Sequence, residues 1–295
     1  HRPGGHAAAG QQPGRARRTE LKTTQRTAMT AARQKIDRLD ARLLLQYATG
    51  CSHTDLLARP ETPVIAPAYA QFLEWVERRA AGEPLAYLVG EAEFRGRVFQ
   101  VSPDVLIPRP ETEHLVEAAL ARLPPQGRLW DLGTGSGAVA VTVALERPDA
   151  HVRASDISAD ALAVAARNTA SMGAKLEFAQ GSWFAVDRPS ETQAYDVVVS
   201  NPPYIEAGDV HLQQGDLRFE PQQALTDFGD GLSCLRALAE GAPHALKAGG
   251  WLLLEHGYNQ GEAARALLVQ HGFAEVATLP DLAGLDRITL GRKPA

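Results

Sequence analysis

The tetrapeptide Asn201-Pro202-Pro203-Tyr204 follows directly after an apolar run, Val197-Val198-Val199. Its two acceptors, the Asn201 side-chain oxygen and the Pro202 carbonyl, can each take one N–H of a planar amide or amine. Pro202 and Pro203 stiffen the turn, and Tyr204 offers a flat face. Because both N–H groups are held, the nitrogen lone pair can be aimed at an electrophilic methyl group. The motif favours methylation of a planar nitrogen. The alternative is a turn that closes a strand, with Tyr204 merely packed.

A glycine-rich loop with acidic residues on either side predicts a nucleoside-binding site. Asp131 and Leu132 precede Gly133-Thr134-Gly135-Ser136-Gly137, between a predicted strand and a predicted helix. Glycines allow positive φ and close approach to a ligand. The N–H groups at the helix start can bind a carboxylate or phosphate. Asp156 ends the next predicted strand, where a carboxylate accepts the hydroxyl groups of a ribose.

The identity of that nucleoside has two main candidates. Gly133, Gly135 and Ala138 also fit the fingerprint of a dinucleotide site, and a glycine turn without a ligand is a third alternative. Asp131 argues against a pyrophosphate, since its charge suits a cationic amino group. We therefore favour S-adenosylmethionine as the cofactor, with S-adenosylhomocysteine as the product. Asp131 would bind the ammonium group of the cofactor, and the loop amides would bind its carboxylate.

Alternating strand and helix patterns surround both motifs. Strands are predicted at 128–132, 151–156, 175–180, 195–200, 251–255, 274–278 and 287–290, with helices at 138–145, 160–172, 235–246 and 261–270. This alternation predicts an α/β fold with a mostly parallel seven-stranded sheet and helices on both faces. Ligands of such sheets bind at the carboxyl ends of the strands, so both motifs are expected at one edge.

The chain before residue 106 is predicted to form smaller units. Apolar residues at helical spacing predict a small helical domain at 29–85, followed by a β-hairpin linker at 86–105. The hairpin strands are expected at 87–90 and 97–101. The α/β domain is expected to occupy 106–295.

Residues 1–28 are rich in Arg, Gly and Pro and poor in large apolar side chains. This composition predicts disorder, because too little apolar surface is available to offset the entropy of ordering. A remnant of an expression tag or upstream read-through is the preferred interpretation. An organelle transit peptide or a nucleic-acid-binding arm is the alternative.

Composition limits the classes of partner. The 295 residues carry 35 acidic and 30 basic side chains, so the net charge is −5 and gives no positive field for nucleic acid. Cys51 and Cys234 cannot form a disulfide framework, which favours the reducing cytoplasm. No apolar run approaches the roughly 20 residues that span a bilayer. We expect a cytoplasmic monomer without a metal, a membrane or a stable nucleic-acid partner.

Segments on both sides of the two motifs resemble the bacterial release-factor glutamine methyltransferases, which methylate the N5 nitrogen of a glutamine. The resemblance runs from about residue 36 to the end, through GEPLAYLVGEAEFRG at 82–96, VLIPRPETEHLVE at 105–117, DLGTGSGAVA at 131–140, SNPPYI at 200–205, DLRFEPQQAL at 216–225, GDGL at 229–232 and LLLEHGYNQG at 252–261. Many amino-methyltransferases share the glycine loop and Asn-Pro-Pro-Tyr. The linker and the Arg-Phe-Glu-Pro stretch are much more specific.

The resemblance implies a Rossmann-like class I methyltransferase fold and S-adenosylmethionine as methyl donor. It implies that Gly133 to Gly137 hold the methionine part, Asp156 the ribose, and Trp183 the adenine. Without the resemblance, Trp183 would be interpreted as a residue of the hydrophobic core. Asn201 to Tyr204 would clamp the glutamine of the Gly-Gly-Gln loop in class I peptide chain release factors, with Asn201 also close to the cofactor. The helical N-terminal domain would dock that partner.

Two rival functions stay open at this point. An adenine-N6 nucleic-acid methyltransferase would present the same two N–H donors to Asn201 and Pro202, although a basic recognition region is then expected. A regulatory nucleotide-binding module would not need the tetrapeptide. Glu255-His256 is interpreted as structural, supporting the Asn201 loop, and residues 218–220 as part of a segment that covers the site.

Overall fold

The computed structural model of the protein describes residues 22–187 and 189–295. The chain divides into two compact units, one ending at Glu77 and one running from Arg78 to Ala295. Most of the segment predicted to be disordered, residues 1–21, lies outside the described residues.

The first unit is helical, as its apolar spacing predicts. It contains α1 (Gln25–Ala32), α2 (Arg38–Thr49), α3 (His53–Ala58) and α4 (Ala66–Ala80), which continues past Glu77. Its buried side chains include Ala41, Leu44, Leu45, Phe72 and Val76.

The prediction of disorder is wrong where α1 begins. The Thr24 hydroxyl caps the helix by accepting from the Thr27 N–H, and the Thr27 hydroxyl accepts from the Thr24 N–H. The Gln25 N–H donates to the Thr62 carbonyl at 2.9 Å. Composition is a poor guide here because small residues such as Ala28, 1% exposed, fill the buried side of the helix.

The linker also differs from its prediction in one element. Residues 87–90 are not a strand: α5 (Leu85–Val89) begins after Pro84 and ends at Gly90, whose φ of 77° gives a left-handed helix cap. The hairpin is formed by β1 (Glu91–Phe94) and β2 (Arg97–Gln100), which pair antiparallel.

The rest of the second unit is an α/β sandwich. Its elements are α6 (Thr112–Leu120), β3 (Arg128–Leu132), α7 (Ala138–Glu146), β4 (His151–Asp156), α8 (Ala159–Met172), β5 (Glu177–Gln180), β6 (Tyr195–Ser200), α9 (Gln222–Leu225), α10 (Ser233–Ala245), β7 (Leu246–Glu255), α11 (Gly261–Gln270), β8 (Ala274–Pro280) and β9 (Asp286–Arg292). Within the described residues, β3 to β9 form a seven-stranded sheet in the order β5-β4-β3-β6-β7-β9-β8. Strands β3 to β7 pair in parallel, and β9 is antiparallel to its neighbours. The predicted α/β class and mostly parallel sheet are confirmed.

Helices cover both faces of this sheet because successive strand residues point to opposite sides. In β3, Leu129 packs into one hydrophobic cluster and Trp130 into the other. In β6, Val197 and Val198 divide in the same way. The strands are apolar on both faces, as buried parallel strands are.

The strand order changes direction beside β3, because β4 and β5 lie on one side of it and β6 and β7 on the other. Leu132 and Ser200, the last residues of β3 and β6, are paired in register. The Ser200 hydroxyl donates to the Leu132 carbonyl at 2.6 Å. Open α/β sheets bind their ligands at this kind of position.

Candidate active site

A cavity of about 320 Å³ opens at the carboxyl ends of the central strands. The predicted site residues in its wall are Asp131, Gly133, Thr134, Gly135, Ser136, Asp156, Trp183, Asn201 and Pro203. Gly137, Pro202 and Tyr204 are close along the chain but do not line this cavity. Further wall residues come from 104–112 and 221–228. The cavity lies within the ~300–1,000 Å³ typical of small-molecule sites.

The glycine loop is fastened to the neighbouring strand and leads into a helix. The N–H groups of Gly133 and Thr134 donate to the Ser155 carbonyl at 2.9 and 3.0 Å. Gly137 caps α7 with a φ of 84°, and a Cβ there would lie 3.2 Å from the Ala165 Cβ. Both the backbone conformation and the available space therefore favour glycine at this helix start.

Two acidic residues of the wall, the buried Asp131 and the half-buried Asp156, lie beside the glycine loop. Asp131 is 2% exposed and accepts from the Thr134 hydroxyl at 2.8 Å. Burial raises the pKa of Asp131 to about 7, and the nearby Asp156 also favours its protonated form. Asp156 accepts from the N–H groups of Gly135 and Ser158, both at 2.9 Å, and burial raises its pKa too. A cation bound beside them would favour their ionised forms.

Trp183 lies between the cavity and the hydrophobic core. It lines the cavity, and it also packs against the cluster around Trp130. Its φ of 43° lies in the left-handed region, which is strained for a tryptophan. A Cβ on Gly133 would lie 3.4 Å from the Trp183 ring, so the glycine allows the ring to approach the loop closely.

Asn201 stands where β6 ends, with its amide linked to a buried residue. Asn201 Nδ2 donates to Thr112 Oγ1 at 3.5 Å, and the Thr112 hydroxyl donates to Glu255 Oε1 at 3.2 Å. Sequence reasoning missed Thr112 as a site residue. Its only signal is its place in the Ile-Pro-Arg-Pro-Glu-Thr segment.

The rest of the tetrapeptide forms the base of the turn. Pro202 is buried, whereas Pro203 lines the cavity. Burial raises the pKa of the Tyr204 hydroxyl to about 12, with Glu255 and Arg287 as its charged neighbours. The Tyr204 carbonyl accepts from Gln260 Nε2 at 3.0 Å, which ties the turn to the start of α11.

A buried carboxylate, Glu220, joins the segment predicted to cover the site to the segment just before α6. Glu220, 3% exposed, accepts from the Ile107 N–H at 3.0 Å and from the Arg109 guanidinium. Arg218 donates to the Ala81 carbonyl at 2.5 Å. Arg109 and Pro221 both line the cavity, so the Arg109–Glu220 ion pair holds two parts of the cavity wall together.

Both ring nitrogens of His256 contact protein groups outside the cavity wall. Its Nδ1 lies 2.8 Å from the Gly257 carbonyl and its Nε2 lies 2.7 Å from the Thr289 hydroxyl. Burial lowers the pKa of the His256 ring, which favours its neutral form. Across the described residues, no cluster of His, Cys, Asp or Glu could hold a metal ion. Nor does any helix of the described chain have the length and apolarity needed to cross a membrane.

Comparison with known proteins agrees with this geometry. The family model described as "PrmC N-terminal domain" matches residues 21–90, and the one described as "Methyltransferase small domain" matches residues 111–230. The release factor glutamine methyltransferase of Neisseria gonorrhoeae is 62% identical over 258 residues, covering 88% of this chain and 94% of that protein. This chain belongs to the release factor glutamine methyltransferase family.

Other members of the release factor glutamine methyltransferase family are nearly as fully covered. The Bordetella pertussis protein is 51% identical over 87% of this chain and 95% of its own length. The Escherichia coli protein is 45% identical over 86% of this chain and 92% of its own length. The resemblance noted in the sequence is therefore confirmed.

Solved structures support the fold. A Pyrococcus furiosus methyltransferase matches with a TM-score of 0.52 at 17% identity, covering 75% of this chain and 99% of that one. The 16S rRNA N2 G1207 methyltransferase of Thermus thermophilus, in complex with AdoMet and guanosine, matches with a TM-score of 0.50 at 20% identity, covering 69% of this chain and 49% of that one. The predicted Rossmann-like class I methyltransferase fold is confirmed.

Proposed function

We propose that this protein transfers a methyl group from S-adenosylmethionine to the side-chain amide nitrogen of the glutamine in the Gly-Gly-Gln loop of class I peptide chain release factors. One observation carries the proposal. Asn201, whose side-chain oxygen can accept from a planar nitrogen, shares a cavity with the glycine loop and with Asp131 and Asp156 in a chain of this family.

The charge of the cavity supports a cationic cofactor. Its acidic wall residues are Asp104, Asp131, Asp156 and Asp227. The basic wall residue Arg109 is already paired with Glu220. A pyrophosphate would be repelled here, whereas the ammonium and sulfonium groups of S-adenosylmethionine would be attracted. A cavity of about 320 Å³ also suits one nucleoside with a short side chain better than a dinucleotide.

Each part of S-adenosylmethionine has residues in the cavity that could bind it. The N–H groups at the start of α7 and in the loop from Gly133 to Gly137 would bind the methionine carboxylate, and Asp131 the ammonium. Asp156 keeps lone pairs for the ribose hydroxyl groups, and Trp183 would lie against the adenine.

Methyl transfer then depends more on the orientation of the amide nitrogen than on a base that removes its proton. When bound, S-adenosylmethionine supplies an electrophilic methyl whose C–S bond breaks as the C–N bond forms. Asn201 Oδ1 and the Pro202 carbonyl would each accept one N–H of the glutamine amide, which fixes the nitrogen. The tetrapeptide from Asn201 to Tyr204 would stay in place throughout, and the surplus proton would leave to water after transfer.

We also propose that the helical N-terminal domain, predicted at 29–85, docks the release factor, and that the protein acts as a cytoplasmic monomer without a stable nucleic-acid partner. The match of residues 21–90 to a domain of this family supports the docking role. The net charge of −5 makes an adenine-N6 nucleic-acid methyltransferase the weaker candidate.

A labelled-methyl assay tests this function against its rival. Purified protein and labelled S-adenosylmethionine are incubated in parallel with a release factor, with the same factor carrying Gln→Glu in Gly-Gly-Gln, and with DNA. We expect label only in the unaltered release factor. Label in DNA but not in the release factor would overturn the assignment.

A further inference from the structure

A buried carboxyl group, Glu255, lies at the C-terminal end of β7, beside the strand that leads into Asn201. It is 1% exposed, and its Oε2 is buried without a hydrogen-bond partner among the described residues. Arg287 is close but donates to Asp281 at 3.1 Å. Burying a half-satisfied carboxyl costs free energy, so packing alone does not explain a glutamate here.

Thr112 connects that carboxyl group to Asn201. A threonine hydroxyl has one proton, and this proton is directed at Glu255 Oε1 at 3.2 Å. Towards any other neighbour, Thr112 Oγ1 can therefore only accept. That neighbour is Asn201 Nδ2, at 3.5 Å. Contacts of this kind are often long in ligand-free sites and tighten when the substrate binds.

The direction of these hydrogen bonds determines which end of the Asn201 amide is free. We propose that Thr112 and Glu255 are positioning residues, which hold Asn201 Nδ2 and leave its Oδ1 for an N–H of the substrate amide. A reversed amide would set its own N–H group against the substrate N–H. This inference rests on the proposed function, in which Asn201 Oδ1 is one of the two acceptors.

The effect should appear in kcat rather than in KM. A release factor is held by a protein–protein surface much larger than one amide group, so its binding does not depend on Thr112. The orientation of the Asn201 amide matters when the nitrogen lone pair must point at the methyl group. A misoriented acceptor is expected to lower kcat about tenfold.

The variants are chosen to separate the hydroxyl from the packing. Thr112→Val removes the hydroxyl at nearly constant volume, and Thr112→Ser retains it. Glu255→Met removes the acceptor, which frees the Thr112 proton to turn towards Asn201 Oδ1. The matched control is Thr142→Val in α7, since Thr142 is 0% exposed, does not line the cavity, and has a hydroxyl without a partner among the described residues.

Methyl transfer to a release factor is measured at saturating cofactor, with thermal unfolding of each variant as a check on folding. We expect Thr112→Val and Glu255→Met to lose about tenfold in kcat with KM within about twofold, while Thr112→Ser and Thr142→Val keep the original kcat. Adding Thr112→Val to Asn201→Ala should change the residual rate by less than about twofold, because the two residues act as one unit.

Two results would overturn the inference. One is full kcat in Thr112→Val, and the other is a tenfold loss from Thr112→Val that persists in the Asn201→Ala background. Failure of the proposed function is a separate observation, because the unaltered protein would then transfer no methyl to the release factor.

Discussion

Asp131 is the side chain whose charge state is most sensitive to what enters the cavity. It is buried among neutral groups with Asp156 as an acidic neighbour, and its pKa is raised to about 7. A bound cation favours the ionised form, so cofactor binding and the ionisation of Asp131 are thermodynamically linked. Near neutral pH, the affinity for the cofactor should therefore change with the ionisation of Asp131.

We therefore expect S-adenosylmethionine to bind about tenfold more weakly at pH 6 than at pH 8 through Asp131 alone, since protonation below pH 7 removes the charge that attracts it. Titration calorimetry of the ligand-free protein measures this. Asp131→Asn is the control, because it keeps the ligand's own titration and removes only that of Asp131. Equal pH dependence in the two proteins would rule out contact between Asp131 and the cofactor cation.

At the scale of elements, the cavity depends on contacts between the segment before α6 and the segment before α9. Glu220 accepts from the Ile107 N–H and from Arg109, and the side chain of Glu220 is 0% exposed. These two contacts join residues more than 100 positions apart in sequence, so either segment alone has little reason to keep its shape. The Tyr87 hydroxyl holds the first segment to α5, since it donates to the Val105 carbonyl at 2.5 Å.

Glu220→Ala should lower the free energy of unfolding by about 2 kcal/mol, because it leaves the Arg109 guanidinium and the Ile107 N–H without their acceptor. Cofactor affinity should fall with it, since Arg109 and Pro221 line the cavity. Urea unfolding and calorimetry measure the two effects. The matched control is Glu206→Ala, an exposed acid after the tetrapeptide, which should change stability by less than about 0.5 kcal/mol. Equal effects of both changes would show that the buried pair contributes nothing.

The sequence predicted the elements that carry strong periodicity and the residues at their ends. Asp131, Asp156 and Asn201 follow from one rule, that ligands of an open α/β sheet sit where parallel strands end. Thr112 and Glu220 could not be found in this way. Thr112 is the first residue of α6 and Glu220 lies just before α9, and the importance of each comes from partners 89 to 143 residues away in sequence.

Residue burial was harder to predict than element type. The spacing of Leu39 and Tyr47 correctly predicts α2, yet these side chains are 51% and 47% exposed while Ala41 and Leu45 are buried. Apolar side chains occur on more than one side of this helix, so periodicity identifies a helix without choosing the face that packs. The strand predicted at 87–90 is instead the end of α5, because so short an apolar run fits either structure.

At the scale of the whole molecule, buried acids tie folding stability to pH. The pKa values of Asp131 and Glu255 are raised to about 7 in the folded protein, mainly by burial. An unfolded chain leaves both groups near their usual values of about 4. Their contribution to stability is therefore fully present below about pH 4 and is lost as pH rises through 7. Exposed acids with lowered pKa, such as Asp230 at about 2, act only at much lower pH.

In the ligand-free protein, each of these two groups should contribute about 1 kcal/mol more stability at pH 6 than at pH 8, while the lowered pKa of His256 acts in the opposite direction. Urea unfolding of the original protein and of Glu255→Gln at the two pH values separates these contributions, because an amide does not titrate. On going from pH 8 to pH 6, the original protein should gain about 1 kcal/mol more than Glu255→Gln. An equal change in the two proteins would contradict the raised pKa of Glu255.

The most direct test of the proposed function is the position of the methyl group on its substrate. A release factor is incubated with the protein and S-adenosylmethionine, digested, and analysed by fragmentation mass spectrometry. The proposal predicts one added methyl on the glutamine of Gly-Gly-Gln, and only a small fraction of this product in the same time when Asn201→Ala replaces the original protein. A methyl group on any other residue, or an unmodified glutamine after complete incubation, would contradict it.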